Sequence, residues 1–365
     1  MAPPLGSLPT PPDPRRPPLP YHSGASFTIR PHRAPVPFGA GYITEPPARE
    51  RFTSLDFWAG VKSPQTDWCL REHPLIETPP ADGPPHDFHI LNQIVCRDGR
   101  GPQVVRCYLD ECRAKTYVAK IFDPLYYQYP GDATWSADHD YSLESSAYTE
   151  IQNSSLDGQF TPRYHGSFTL TLPLLDTPQS SGLTYPARMV LMEDVPGVSM
   201  ETLMTNDLYL KIPLALRLDI TAQILEIDCK LRFIGVIQND LAPRNVMLGM
   251  DPDDWASPPS RTVLLDFSYS HVLTWKNSKK QRLLQPRGSM PKGPVCFHWG
   301  QGSPRDFGPW VPQPIGLFGE TEAWNGWLLE RWGGSDAWAG RETLTDLNIC
   351  NAKCSSSELD DNIRQ

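Results

Sequence analysis

Asp240 and Asn245 stand five residues apart in "VIQNDLAPRNVMLG" (236–249), and Asp266 closes the apolar run of "VLLDFSYS". Two aspartates and an asparagine at such intervals offer hard oxygen donors, the kind that suits magnesium. One of the carboxylates could instead receive a proton from an incoming hydroxyl. Upstream, Lys120 sits in the apolar stretch "KTYVAKIFD" (115–123), and Glu144 lies in "YSLESSAYTEIQ" (141–152). A strand lysine fixed by a helix glutamate could hold phosphate. Phosphoryl transfer from ATP is mostly positioning and charge neutralisation, so such a set would cover its main needs.

A literal Asp-Phe-Gly, the metal-holding tripeptide of phosphotransfer sites, occurs at Asp306-Phe307-Gly308. It follows "HWGQGSP", which has no apolar strand to aim a carboxylate, and it lies 61 residues past Asn245. Asp266 is only 21 residues past Asn245 and ends an apolar run. The expectation is therefore that Asp266 carries the chemistry and Asp306 does not.

These residues need elements to hold them. "FHILNQIVC" and "PQVVRCYLD" flank the turn Arg97-Asp98-Gly99-Arg100-Gly101 and predict a hairpin. Lys120 then falls in a third strand. Leu143, Ala147 and Ile151 form one apolar stripe, predicting a helix over 141–152 that Ser142 could cap. "ARMVLMEDV" (187–195) reads as a buried strand ending at the turn Pro196-Gly197. "PLALRLDITAQILEIDCKLRFIG" (213–235) has a helical period and stops at Gly235. "NVMLG" and "TVLLDFSY" follow as short strands around the solvated insert "MDPDDWASPPS". Six of the eleven tryptophans fall in 299–338, so that part is expected to bury aromatic anchors.

Composition narrows the partners. A net charge of −9 and a pI near 5.5 argue against a nucleic-acid backbone as the main ligand. No apolar run reaches the roughly 18 residues of a membrane helix, and the first residues lack an apolar signal core. Eight scattered cysteines point to a reduced cytoplasmic or nuclear setting. Fourteen of the forty prolines lie in the first fifty residues, and residues 1–86 are expected to be a Pro-rich, largely disordered region. Its proline segments could meet an SH3-like partner. The basic stretch "KNSKKQR" (276–282) reads as a solvated face, and residues 341–365 as a polar tail.

Taken in order, hairpin, strand lysine, helix glutamate, strand, long helix, Asp-x-x-x-x-Asn and strand aspartate, the sequence resembles the protein kinase-like superfamily. The resemblance implies an α+β bilobal fold with a small antiparallel β-rich N-lobe over 87–197 and a mostly helical C-lobe over 198–340. It implies Asp240 as catalytic base, Asn245 and Asp266 as magnesium ligands, and Lys120 as the phosphate-binding lysine. Glu144 would be its partner, in preference to Glu150, because the family places this glutamate early in its helix. Gly99 and Gly101 would approach ATP phosphates, and Glu193 to Val195 would form the hinge that meets adenine. The acceptor would be a hydroxyl on a protein or a small molecule. Gln238 replaces the family's usual histidine, Ser268 replaces the glycine of its metal-binding tripeptide, and no Ala-Pro-Glu follows Asp266. Asn239 is similar to the loops of the aminoglycoside and choline kinase branch, and the whole most resembles a divergent group of kinase-like proteins found in fungi. Gln238, Ser268 and the sparse glycine turn favour the alternative of a pseudokinase that binds nucleotide or scaffolds without turnover.

Overall fold

The computed structural model describes residues 11–43, 63–79, 81–129, 131–175, 182–304, 306–312 and 320–339. They divide into two compact units. The first takes the residues up to Gly158, Pro162–Val195 and Phe267–Gln281; the second takes Gln159–Thr161, Pro196–Asp266 and the residues from Arg282 onward. Strands and helices alternate irregularly and all pairings within the sheets described below are antiparallel, which makes this an α+β protein.

The first unit is built on six strands: β1 (Ser26–Pro31), β2 (His86–Val95), β3 (Gln103–Leu109), β4 (Tyr117–Phe122), β5 (Tyr164–Pro173) and β6 (Thr184–Glu193). They close into a barrel in the order β1-β2-β3-β4-β6-β5. The predicted hairpin is β2–β3, and the predicted lysine strand is β4, paired on both sides by β3 and β6. Such central placement buries the last four residues of β4. Besides the short helical turns Gln65–Asp67, Trp68–Glu72 and Pro124–Tyr126, this unit has one long helix among the described residues, α1 (Ala133–Gln152).

Three features depart from the sequence expectation. Residues 11–43, expected to be disordered, are an integral part of the unit. Tyr21, Ile29, Phe38 and Tyr42 are each no more than 2% exposed. The segment also contributes β1, which bridges β2 and β5 and so closes the barrel. β1 forms despite its proline because Pro31 stands at the strand end, where a missing N–H costs no ladder bond. Second, β5 was not foreseen, although Phe168, Leu170 and Leu172 alternate as a half-buried strand should. Third, α1 begins eight residues earlier than predicted. Its cap is Asp132, whose Oδ1 accepts the Trp135 amide at 2.9 Å. Ser142 is buried mid-helix and donates instead to the His139 carbonyl at 2.9 Å.

The second unit contains β7 (Val198–Ser199), α2 (Met200–Thr205), α3 (Leu214–Phe233), β8 (Val246–Leu248), β9 (Thr262–Leu264), α4 (Pro294–His298) and α5 (Glu320–Trp332). The long helix α3 falls where its period predicts. A small sheet in the order β9-β8-β7 packs beside it. Trp310 and Trp324 are no more than 1% exposed and Trp332 7%, so the tryptophan-rich end supplies core. No helix among the described residues is long and apolar enough to cross a membrane. The polar tail expected over 341–365 lies outside the described residues.

Candidate functional site

In the first unit, the register of β4 sets the lysine. Lys120 pairs with Val104 of β3 and Val190 of β6, and its side chain is 9% exposed. Its Nζ donates to Glu144 Oε2 at 2.5 Å and to Ser268 Oγ at 2.7 Å. Ser268 Oγ in turn donates to the same Glu144 oxygen at 2.6 Å. Three groups thus close a triangle around one carboxylate whose side chain is fully buried. An ion pair this deep is costly unless its remaining valences are hydrogen-bonded, and the serine hydroxyl does so for both partners. Sequence reasoning marked Lys120 and Glu144 but treated Ser268 only as a departure from a pattern.

Glu150 is no rival. Six residues along a helix correspond to a rotation of about 240°, so Glu144 and Glu150 face different ways. Glu150 instead accepts the Thr274 hydroxyl at 2.7 Å.

The turn between β2 and β3 requires its glycines: Gly99 has φ 73° and Gly101 φ 88°. Gln103, fully buried, braces the turn. Its Nε2 donates to the Arg97 and Gly101 carbonyls at 2.9 and 2.8 Å, and its Oε1 accepts the Arg97 amide at 2.8 Å. The Gly99 amide donates to the Tyr126 carbonyl at 2.9 Å. Two amides of this turn are therefore already engaged within the unit. Arg16 adds its guanidinium, which donates to Asp98 and to the Leu125 carbonyl. Pro17 and Pro18, part of the run expected to meet an SH3-like groove, accept the Tyr126 hydroxyl through their carbonyls.

At the other end of β6, Glu193 ties back to the start of β5. Its amide donates to the Arg163 carbonyl at 2.9 Å, and its Oε2 accepts the Arg163 amide at 3.0 Å. Asp194 accepts from Thr116 and pairs with Arg106 at 2.7 Å. Val195 follows, half-buried.

In the second unit the loop between α3 and β8 carries Gln238, Asp240, Arg244 and Asn245. Gln238 is 3% exposed and uses both ends of its amide. Nε2 donates to the Leu265 and Asp266 carbonyls at 3.1 and 2.6 Å, while Oε1 accepts the Asp240 amide at 3.1 Å. One side chain thereby locks the loop to the end of β9, which glutamine can do because it both donates and accepts. Asn245 Nδ2 donates to the Asp240 carbonyl and to its Oδ2, both at 2.9 Å. With its nitrogen so engaged, the Asn245 amide oxygen is the atom that suits a hard cation. Arg244 Nη2 reaches Asp240 Oδ1 and Oδ2 at 2.6 and 2.7 Å. The Leu265 amide donates to the Asn245 carbonyl at 2.8 Å, which sets Asp266 next along the chain from that contact.

Asp266 adopts φ 60°, a left-handed backbone that costs a non-glycine residue about 1 kcal/mol. Strain of this kind persists where neighbours over-determine it, and here the Gln238 bond to the Asp266 carbonyl is one such neighbour. Asp306, of the literal tripeptide, also has a positive φ of 65° but is exposed, while Phe307 beside it is fully buried. Its motif is spent on anchoring a phenylalanine.

Among the described residues no three His, Cys, Asp or Glu side chains gather as a metal cluster. Asn245 and Asp266 carry side-chain oxygens of the type that could hold magnesium. That ion commonly takes one or two protein oxygens and completes its shell with water and substrate phosphate.

No protein-family model matches this chain, and no curated protein does. Among solved structures it is similar to the kinase domain of PknI from Mycobacterium tuberculosis, with 15% sequence identity and a TM-score of 0.33 over 50% of this chain and 59% of that one. A doubly substituted form of the same domain gives 16% identity and a TM-score of 0.33, over 50% of this chain and 60% of that one. The chain thus spans about six-tenths of the length of those kinase domains.

Proposed function

We propose that this chain is an ATP-dependent phosphotransferase of the protein kinase-like type, acting on a hydroxyl acceptor. The observation that carries the reading is the buried Lys120–Glu144 pair on a central strand and its helix. Salt bridges so deep are weak sources of stability, so a reason other than folding is called for. The reading assigns Lys120 to the phosphates, with Glu144 orienting it, and Gly99 and Gly101 to phosphate approach. Glu193 and Val195 would meet adenine. Asp240 would accept the proton of the attacking hydroxyl as its oxygen bonds to the γ-phosphorus and the bond from that phosphorus to ADP breaks. Asn245 and Asp266 would hold magnesium, which supplies charge neutralisation on the phosphates. The two units would correspond to the lobes of that fold. Asn239 and the missing Ala-Pro-Glu favour a small-molecule acceptor over a protein, in keeping with the likeness to aminoglycoside and choline kinases and to the fungal group.

A second reading, a pseudokinase, is favoured by one specific contact. Arg244 engages both oxygens of Asp240, the atoms a base must offer. One experiment separates the two. Binding of MgATP to the full chain is measured beside Asp266→Ala, then ATP turnover against pooled hydroxylated metabolites and generic proteins beside Asp240→Ala. Turnover that needs Asp240 supports the enzyme. Binding that needs Asp266 without turnover supports the pseudokinase. No binding at all removes the enzyme and the nucleotide-binding pseudokinase, and leaves only the scaffolding form.

A further inference from the structure

The segment ending at Tyr42 does more than close the barrel, and its contacts concentrate on the two elements that bring Glu144 and Ser268 to Lys120. On α1, His32 Nδ1 lies 2.7 Å from the Tyr141 hydroxyl, three residues before Glu144. Phe38, 1% exposed, packs edge-on against Trp135 and His139 at 5.7 and 5.6 Å. Gly39 passes so close to the same histidine that a Cβ there would sit 2.7 Å from its Nε2.

On the segment that follows Ser268, the same arm repeats the arrangement. A Cβ on Gly41 would sit 2.6 Å from His271 Cε1. Tyr42 stacks on that imidazole at 4.4 Å and 19°, and its hydroxyl accepts the Val272 amide at 2.9 Å. His271 Nε2 is 2.8 Å from Ser278 Oγ. Backbone bonds then seal the contact: Lys279 N–H to the Gly41 carbonyl at 2.9 Å and Ile43 N–H to the Asn277 carbonyl at 2.7 Å. Asn277 Nδ2 also donates to the Pro37 carbonyl at 2.7 Å.

Gly39 and Gly41, with φ 91° and 90°, are thus two positions where only a hydrogen fits, each against a histidine. One histidine stands five residues before Glu144, the other three residues after Ser268. We propose that residues 32–43 form an intramolecular clamp that fixes α1 and the segment after Asp266 at the spacing where Glu144 and Ser268 both reach Lys120. Tyr42 is its positioning residue. The clamp would supply from the amino-terminal side the anchorage for which this sequence has no Ala-Pro-Glu. Its bearing on catalysis rests on the phosphotransfer reading; its bearing on Lys120 does not.

The test uses the full chain and the reactivity of the Lys120 amine toward an amine-acylating reagent, read by peptide mass spectrometry without nucleotide. Tyr42→Phe keeps the ring stack and removes only the acceptor of the Val272 amide, and should raise the Lys120 labelling rate about fivefold. Tyr42→Ala also removes the stack and should raise it about tenfold or more. Tyr185→Phe removes a hydroxyl bond to Asp123 in the same unit, lowers the melting temperature, and should leave Lys120 as slow as in the parent. The clamp is refuted if Tyr42→Phe labels Lys120 at the parent rate, or if Tyr185→Phe raises labelling as much. Added MgATP should slow Lys120 labelling in the parent. If it does not, the nucleotide reading fails while the clamp result stands.

Discussion

The Lys120–Glu144–Ser268 triangle makes a quantitative prediction through a double-mutant cycle. Lys120→Met leaves a fully buried carboxylate with the serine hydroxyl as its remaining partner in the triangle. Glu144→Gln leaves a buried ammonium facing a neutral amide. Either change strands a charge, which costs about 3–5 kcal/mol when a buried pair loses one member. The double variant strands none. Met and Gln are close in length to the residues they replace, so it should lie within about 2 kcal/mol of the parent. The singles then sum to about 6–10 kcal/mol, so a coupling of at least about 4 kcal/mol separates the double variant from that sum. Such a single-variant loss would be a large fraction of the 5–15 kcal/mol that stabilises an ordinary domain, so the first unit should open well before the second. Hydrogen exchange of β4 and α1 amides across a urea series reads that opening directly. Singles that add to within about 0.5 kcal/mol of the double variant would refute the triangle as an energetic unit. Singles costing under about 1 kcal/mol would mean that Lys120 is solvated, as an exposed pair is.

Two further outcomes follow from buried polar groups elsewhere. Asp123 is fully buried, accepts the Tyr21 and Tyr185 hydroxyls at 2.6 and 3.0 Å, and accepts the Leu125 amide at 3.0 Å. Burial nevertheless pushes its carboxyl up to about 6. A folded pKa above the unfolded value of about 3.9 means the native state holds the proton longer. Its stabilisation is therefore full below about pH 4 and lost as pH rises through about 6, a change of about 3 kcal/mol. Urea unfolding of Asp123→Asn from pH 4 to 7 should lack that decline, and an unchanged slope would contradict the assignment. Gln238→Ala removes three hydrogen bonds at once. It should speed hydrogen exchange at residues 262–266, with a local loss of about 2 kcal/mol, whereas Gln238→His retains a donor and should lose about half of that. Equal exchange in all three proteins would show that the loop is held by other contacts.

The elements that sequence could read are those whose signal is local. α3 buries Leu216, Ile220, Ile224, Ile227 and Leu231, three or four residues apart, and so shows a helical period. β4 is short, apolar and bounded by turns. The residues of α1 from 133 to 140, "ATWSADHD", carry no such stripe, because that end of the helix is buried through polar contacts. Asp138, with no exposed surface, accepts the Ile76 amide at 2.7 Å. A periodicity argument is blind to a helix packed through carboxylates and small side chains. β1 was invisible for another reason: of its six residues only Ile29 is fully buried, and its hydrogen bonds come from strands about sixty and about one hundred and forty residues away. β5 is the one omission that a stricter count of alternation at 168, 170 and 172 would have repaired.

The same division runs through the candidate site. Groups that would react must be of particular types, so Lys120, Glu144, Asp240, Asn245 and Asp266 stand out in sequence. Groups that hold them need only shape or a backbone atom. Tyr42 acts through its ring face and one hydroxyl, Gly39 and Gly41 through the absence of a Cβ, and Gln238 through carbonyls any residue could have offered. Ser268 belongs to both classes. In sequence it reads as a flaw in a tripeptide, yet its hydroxyl bonds both members of the ion pair. A glycine at that position would leave the ammonium and the carboxylate with one polar neighbour fewer in a site that water barely reaches. The serine therefore tightens the grip of Glu144 on the lysine, and a lysine held more tightly has less freedom to turn toward phosphate. On the proposed phosphotransfer reading this hydroxyl bears on how readily Lys120 meets ATP: Ser268→Gly should loosen Lys120, raise its labelling rate, and shift any MgATP affinity in the same direction.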